Sequence, residues 1–407
     1  MSHDEMPEEE LWERTQSEDL SDRADSLQEL GQRRVNEENY EMAKSLFGSA
    51  ADLFTTLERE LDLTRSIYSV GYCQYRLNEH DEAVKTLTDA LARSKELSDS
   101  RSIAYSAGPL ADCYAYLGED DKAIQNYDLA VDAFEEIEEP FNAGVNCLSM
   151  GELHGKNARQ TRALACFIRA YNIFQGSGDA TGAARAKDRM AAALIELGDL
   201  DQATMHLRDA LLTFEHMQLE DRVAYAQYRL GWTHVLNSKY NAAIAPLRSA
   251  IAYYRENKDW SNAAVVELQL ASALRLLDPE TPNQESEVLL ARLAAYFESA
   301  GEVSNALSVE SINGEKLFES GAFDAAAAVF GDIVSRAEEI GDHFVARQAR
   351  ASQVEALFKA GRMTEAKEVF AEINPSDWGE NNVELDRIEK LTKLMLDTMA
   401  MTLNVEV

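Results

Sequence analysis

Seven small residues stand at an unvarying interval of 40: Gly31, Gly71, Ala111, Gly151, Ala191, Gly231 and Ala271. An apolar side chain precedes each of them: Leu30, Val70, Leu110, Met150, Met190, Leu230 and Leu270. Twelve residues past the anchor an alanine recurs six times, at Ala43, Ala83, Ala123, Ala163, Ala203 and Ala243. Four later comes a bulky residue, Phe47, Leu87, Tyr127, Phe167, Leu207 or Leu247. Three beyond that is a second alanine: Ala50, Ala90, Ala130, Ala170, Ala210 and Ala250. Five columns in register over six units are an internal repeat. A period of this length marks supersecondary units that stack on their neighbours.

Within each half-repeat the fixed positions recur at three and four residues, which places them on one face of an α-helix. The small residues let two helices approach closely and the bulky one fills the space beside them. Short polar stretches such as Leu117-Gly118-Glu119-Asp120 and Leu197-Gly198-Asp199 separate the halves and suit helix ends. No segment alternates with period two over a useful length, so sheet is not expected. Each unit is therefore a helical hairpin. The columns divide the chain into units at 24–63, 64–103, 104–143, 144–183, 184–223, 224–263 and 264–306. Pro279 and Pro282 stretch the seventh turn. Gly314, Ala326 and Phe330 mark an eighth unit, and Val354, Ala366 and Phe370 a ninth.

The expected fold is all-α: a solenoid of about nine hairpins over residues 24–380, with residues 1–23 as an acidic extension and 381–407 as a capping helix. The extension reads as a solvated tail or a short leading helix starting near Pro7, with an autoinhibitory or partner-recruiting segment as the alternative. Val383, Leu385, Ile388, Leu391, Leu394 and Met395 recur at helical spacing, and such a helix covers the last open core face or serves a homodimer contact. Pro109 and Pro246 read as breaks near helix starts, where proline is at home, although Gly108-Pro109 could instead kink a helix and open the surface beside Tyr105.

Composition narrows the function. With 72 acidic against 39 basic side chains the formal net charge is −33, which argues against nucleic acid and anionic membranes as ligands. Four cysteines without a CxxC pair form neither a disulfide framework nor a zinc site. No apolar run is long enough to span a bilayer, and Met1–Glu10 is acidic where a signal peptide needs basic residues, so a reduced, cytoplasmic setting is expected.

Fragments that suggest chemistry do not complete a site. Gly176-Ser177-Gly178-Asp179-Ala180-Thr181-Gly182 approaches a dinucleotide loop, but it follows a helix and its last glycine is one residue late, so it is expected to be a turn. The seven histidines make no HExxH, and Cys73 and Cys113 share a repeat column that suits packing. No catalytic residues, metal ligands or cofactor are assigned, and a non-enzymatic protein is expected.

The column order small–aromatic–Ala–bulky–Ala, clearest at Leu110-Ala111-Asp112-Cys113-Tyr114 with Ala123, Tyr127 and Ala130, and at Leu230-Gly231-Trp232 with Tyr240, Ala243 and Ala250, resembles the tetratricopeptide repeat. Its usual period is about 34 residues; the longer unit here is similar to those of kinesin light chains and Rap-type bacterial regulators. The resemblance implies a right-handed superhelix whose inner wall is lined by the first helix of each repeat. It also implies that the wall carries Arg65, Tyr68, Tyr72, Tyr75 and Arg76 in the second repeat, Tyr105, Asp112 and Tyr116 in the third, Arg185 and Arg189 in the fifth, and Tyr225, Tyr228 and Trp232 in the sixth. Taken from the residues alone, Tyr68, Tyr72 and Tyr75 share a helix face, as do Tyr225, Tyr228 and Trp232. Aromatic side chains of this kind anchor protein interfaces or pack between neighbouring hairpins.

The family's clamp for a partner's terminal carboxylate is incomplete. Arg185 and Arg189 match its last positions, but Gly108 and Asp112 stand where Lys and Asn are needed. The resulting expectation is a non-catalytic scaffold or adaptor gripping a basic or amphipathic helix or peptide of another protein. A peptide-sensing regulator of Rap type and an accessory subunit of an enzyme complex are the alternatives.

Overall fold

A residue in the left-handed conformation recurs every 20 positions: Glu38, Glu58, Asn78, Ser98, Gly118, Glu138, Ala158, Gly178, Gly198, Gln218, Ser238 and Lys258. Each reverses the chain just past a helix end, where the last carbonyls would otherwise lack partners. After the longer link at 278–283 the series resumes at Gly301, Gly321, Gly341 and Gly361. The computed structural model describes residues 6–278, 281, 283–373, 390 and 393.

Between these turns run nineteen helices among the described residues. A short α1 (Glu8–Arg14) leads. Nine hairpins follow: α2 (Leu20–Asn36) with α3 (Tyr40–Thr56), α4 (Glu60–Arg76) with α5 (His80–Leu97), α6 (Ser100–Tyr116) with α7 (Asp120–Glu136), α8 (Pro140–Lys156) with α9 (Gln160–Ser177), α10 (Ala180–Glu196) with α11 (Leu200–His216), α12 (Glu220–Leu236) with α13 (Tyr240–Glu256), α14 (Trp260–Leu277) with α15 (Gln284–Ala300), α16 (Val303–Glu319) with α17 (Phe323–Glu339), and α18 (His343–Lys359) with α19 (Met363–Ala371). No strand occurs among the described residues. The fold is an all-α solenoid, as the repeat predicts. Asp19, Asn39, Asp99, Asp199, Asp259, Asn283 and Asp342 each accept a backbone N–H of the following first turn.

The hairpins begin at Leu20, Glu60 and Ser100, four residues ahead of the units drawn from the columns. The columns locate the buried contact, not the turn, and most turns up to Lys258 are made by non-glycine residues that leave little signal. The Gly176–Gly182 stretch is the expected turn: α9 ends at Ser177, Gly178 is left-handed, and Asp179 accepts the Gly182 N–H.

The repeat columns are the core. Ala43, Ala83, Ala123, Ala163, Ala203 and Ala243 are all fully buried, as are Ala50, Ala90, Ala130, Ala170, Ala210 and Ala250. Each anchor glycine lies under the bulky residue sixteen positions on. A Cβ built at Gly31, Gly71, Gly151, Gly231 or Gly314 would come within 2.4–2.7 Å of Phe47, Leu87, Phe167, Leu247 or Phe330 respectively. Glycine is required there by the closeness of two helices.

The described residues pack as two compact units: those up to Asn157 with Arg162–Ala186, and Ala158–Thr161 with those from Lys187 onward. In the first unit α1 covers the leading hairpin. Met6 and Leu11 are buried against Ala24, Leu27 and Leu30, Arg14 pairs with Asp22 at 2.8 Å, and Arg34 pairs with Glu8 at 2.5 Å. The acidic extension thus contains the short leading helix, with Pro7 at its N-cap. The capping helix expected from Val383 onward lies outside the described residues, apart from Lys390 and Lys393.

Two expectations about proline are corrected. Pro109 lies ten residues into α6 and Pro246 seven into α13, both inside continuous helices. Neither sits in a first turn, because the surrounding packing holds the helix through the break. The cost is local: the Tyr105 carbonyl cannot receive the backbone N–H that a residue other than proline would donate from position 109.

Candidate functional site

In the first unit α4, α6 and α8 bound a cavity of about 420 Å³, with α2, α3 and α7 contributing at its margins. Five of the residues expected on the groove wall line it: Tyr68, Tyr72 and Tyr75 from α4, and Tyr105 and Asp112 from α6. The 3.6-residue period of α4 turns its three tyrosines to one side. Tyr68 stacks on Tyr105 with centroids 6.1 Å apart, and Tyr105 meets Phe134 edge-on at 5.2 Å. Gly108 and Pro109 form bare wall between them; a side chain at Gly108 would collide with Asn146, whose Oδ1 is 2.9 Å from the Cβ position.

Asp112 brings the only carboxylate among the cavity's lining residues. Its Oδ1 accepts the Tyr127 hydroxyl at 2.5 Å, and the Tyr75 phenol lies nearby. Burial pushes the Asp112 carboxyl above the usual carboxylate range; the Tyr127 and Tyr75 phenols oppose that, and the charge of Glu152 adds to it. The Tyr75 and Tyr127 phenols are pushed up by burial and then by the charge of Asp112. At the rim the Tyr105 hydroxyl donates to Glu139 at 2.7 Å, which also pairs with Arg101, and burial with that bond lifts the Tyr105 phenol to about 12.

The other expected residues fall elsewhere. Arg76 lies at the edge, donating to the Tyr72 hydroxyl at 2.8 Å with its guanidinium 4.4 Å from the Tyr40 ring. Tyr116 is 72% exposed and stacks on the His80 ring at 3.9 Å, away from the cavity lining. On α10, Arg185 belongs to the first unit and Arg189 to the second; both are half-buried. In the second unit Tyr225 and Tyr228 lie 6.2 Å apart, with the Arg229 guanidinium 5.8 Å from Tyr225. Tyr228 packs on the hydrophobic core of α12, α13 and α14, while Trp232 is half-buried.

Several contributors were not among the expected groove residues. Tyr127 supplies a hydroxyl from a column that otherwise holds Phe or Leu, and that misfit in an apolar column is the signal that marks it. Phe134, Asn142, Asn146 and Ser149 reach the cavity from neighbouring hairpins, which no spacing within one repeat reveals.

The second unit has two further concavities. One, of about 730 Å³, is lined by Glu215, Glu220 and Glu256 with a single aromatic ring, Tyr253. The other, of about 510 Å³, holds Trp260 and Tyr296 around Glu267, whose carboxylate is already paired with Arg255 and Arg292. Neither gathers aromatic faces around an unmatched charge. Among the described residues no three His, Cys, Asp or Glu side chains converge as metal ligands, and no helix is long and apolar enough to cross a membrane. The four cysteines are unbridged; burial lifts Cys73, Cys113 and Cys147 to about 12 and Cys166 to about 11, which keeps them thiols at neutral pH.

The chain superposes on the quorum sensor NprR from Bacillus thuringiensis, in its apo form, with a TM-score of 0.56 at 13% identity, covering 81% of this chain and 91% of that one. It superposes on the apo form of RapI with a TM-score of 0.54 at 15% identity, covering 87% and 97%. A signal-transduction ATPase with a tetratricopeptide repeat sensor, from Pyrococcus horikoshii, gives a TM-score of 0.61 at 13% identity over 74% of this chain. The chain has a tetratricopeptide-like repeat fold. It spans about half (46%) of the length of that ATPase. No family model and no curated protein matches the sequence. At these identities the tetratricopeptide fold is what the similarity establishes.

Proposed function

We propose that this tetratricopeptide-like protein is a non-catalytic interaction module that holds a peptide, or an extended or helical segment of a partner protein, against the tyrosine cavity of its first unit. The observation that carries the reading is the convergence of Tyr68, Tyr72, Tyr75 and Tyr105 on one open cavity. Tyrosine offers large contact area with few rotatable bonds, which is why it dominates binding surfaces. The net charge of −33 favours a basic or amphipathic segment and association that slows as salt rises. A peptide-sensing regulator is the second reading, supported by the likeness over most of both chains to a protein described as a quorum sensor.

The test is selection of random dodecamers displayed on phage against the intact chain, then affinity and melting measurements on variants. Tyr68→Ala or Tyr72→Ala should weaken the enriched peptides about thirtyfold, the loss of a hot spot of about 2 kcal/mol, with melting nearly unchanged. Tyr228→Ala should instead lower stability, since Tyr228 packs on core. Enriched peptides that ignore both cavity substitutions would place the working surface elsewhere.

A further inference from the structure

We propose that the tyrosine cavity is an anchor pocket for one arginine side chain of a bound peptide, with Asp112 as its counter-ion. The proposal rests on the peptide-binding reading above and adds a specific chemistry to it.

The first ground is an unmatched charge. Two carboxylates that are shut in more deeply than the half-buried Asp112 are answered by arginine: Asp188, 11% exposed, pairs with Arg229 at 2.8 Å, and Glu267, 6% exposed, pairs with Arg255 and Arg292. Asp112 differs. Its hydrogen-bond partner is the Tyr127 phenol, and among the described residues no Lys, Arg or His pairs with it. An ionised carboxylate accepts about four hydrogen bonds, so the Tyr127 phenol leaves acceptor capacity on this cavity-lining residue. Glu152 deepens the negative potential there.

The walls suit a flat cation. Tyr68, Tyr72, Tyr75 and Tyr105 present aromatic rings to the cavity, and a guanidinium stacks on such faces. The protein already uses this contact at the rim, where Arg76 lies over Tyr40. A guanidinium presents a flat fork of N–H donors to a carboxylate, which an ammonium matches with less directional fit. A volume of about 420 Å³ admits a long side chain with its flanking backbone, but not a whole helix. An anionic ligand would meet Asp112 as a like charge, and an uncharged one would bury that charge uncompensated.

The probes are four fluorescein-labelled nonamers of alanine, serine and leucine that differ only at a central Arg, citrulline, norleucine or Glu, titrated by fluorescence polarisation on the full chain. Citrulline keeps the shape of arginine and removes its charge. The Arg nonamer should bind at least about tenfold tighter than the citrulline nonamer, with norleucine and Glu weaker still. Asp112→Asn should bring the Arg-to-citrulline ratio to about one, while Tyr68→Ala weakens both peptides. The peptide-side comparison needs no protein variant, so it decides the matter even if Asp112→Asn folds poorly. Equal binding of the Arg and citrulline nonamers, no measurable binding of the Arg nonamer, or a ratio untouched in a folded Asp112→Asn protein overturns the anchor. In the last case the preference would come from the diffuse acidic surface. If the ratio is flat but both peptides are lost in Tyr68→Ala, the groove reading survives and only the anchor falls. If Arg-nonamer binding ignores Tyr68→Ala and Tyr72→Ala alike, both fall.

Discussion

Replacing Gly231 by alanine should destabilise the protein, although the same change in a helix interior normally helps. Alanine is favoured over glycine in a helix by about 1 kcal/mol. At Gly231, however, the new Cβ would stand 2.5 Å from Leu247 Cγ, 2.7 Å from its Cδ2 and 3.3 Å from the Ala243 carbonyl oxygen. Leu247 is fully buried, so it has no free space to move into. Overpacking of this kind costs about 1–3 kcal/mol, and backbone on the far side argues for the upper end. The net loss should be about 1–2 kcal/mol. Gly48, inside α3 with nothing within 4 Å of its Cβ position, is the control, and Gly48→Ala should gain about 1 kcal/mol. Leu247→Ala alone should cost about 2–5 kcal/mol, and adding Gly231→Ala to it should recover about 1 kcal/mol as the new methyl enters the void. Urea denaturation measures these values. Hydrogen exchange on α12 and α13 should accompany it, because repeat arrays open locally as well as globally. A Gly231→Ala protein stabilised like Gly48→Ala, or a double mutant that is merely additive, would refute the packing argument.

Arg229→Met should cost about 3–5 kcal/mol, since it strands the buried Asp188 carboxylate and removes a donor to the Asp188 backbone carbonyl; Arg229→Met with Asp188→Leu should regain most of it in the same urea assay. Burial, reinforced by Arg208 and Lys239, holds the His234 imidazole below its ordinary value of 6.5. The unfolded chain therefore binds its proton first, and stability that is complete above about pH 6.5 is lost as pH falls through that value towards the folded pKa. His234→Gln should flatten this acid limb in urea midpoints measured against pH, and an unchanged limb would show that another group sets it.

The division between what the chain announces and what it conceals follows the range of the interactions. The columns at three- and four-residue spacing are local helix geometry, so Gly71, Ala83 and Leu87 declare their mutual contact in the primary structure alone. The same holds for the common face of Tyr68, Tyr72 and Tyr75, which one helix period decides. The hairpin starts were less legible, because turns at Glu38, Glu58 and Ser98 are held left-handed by the helices on either side and not by glycine. Pro109 was misplaced for a similar reason: its local preference for a first turn yields to packing that carries α6 through it. The site itself depends on side chains from different helices meeting in space. Nothing in the sequence spacing says that the Tyr127 hydroxyl reaches Asp112, that Tyr105 stacks on Tyr68 from the preceding repeat, or that Asp188 is matched by Arg229 while Asp112 meets a phenol. Periodicity determines which face each helix buries; only the stacking of one hairpin on the next decides which polar atoms are shut in together and which charge is left to be answered from outside.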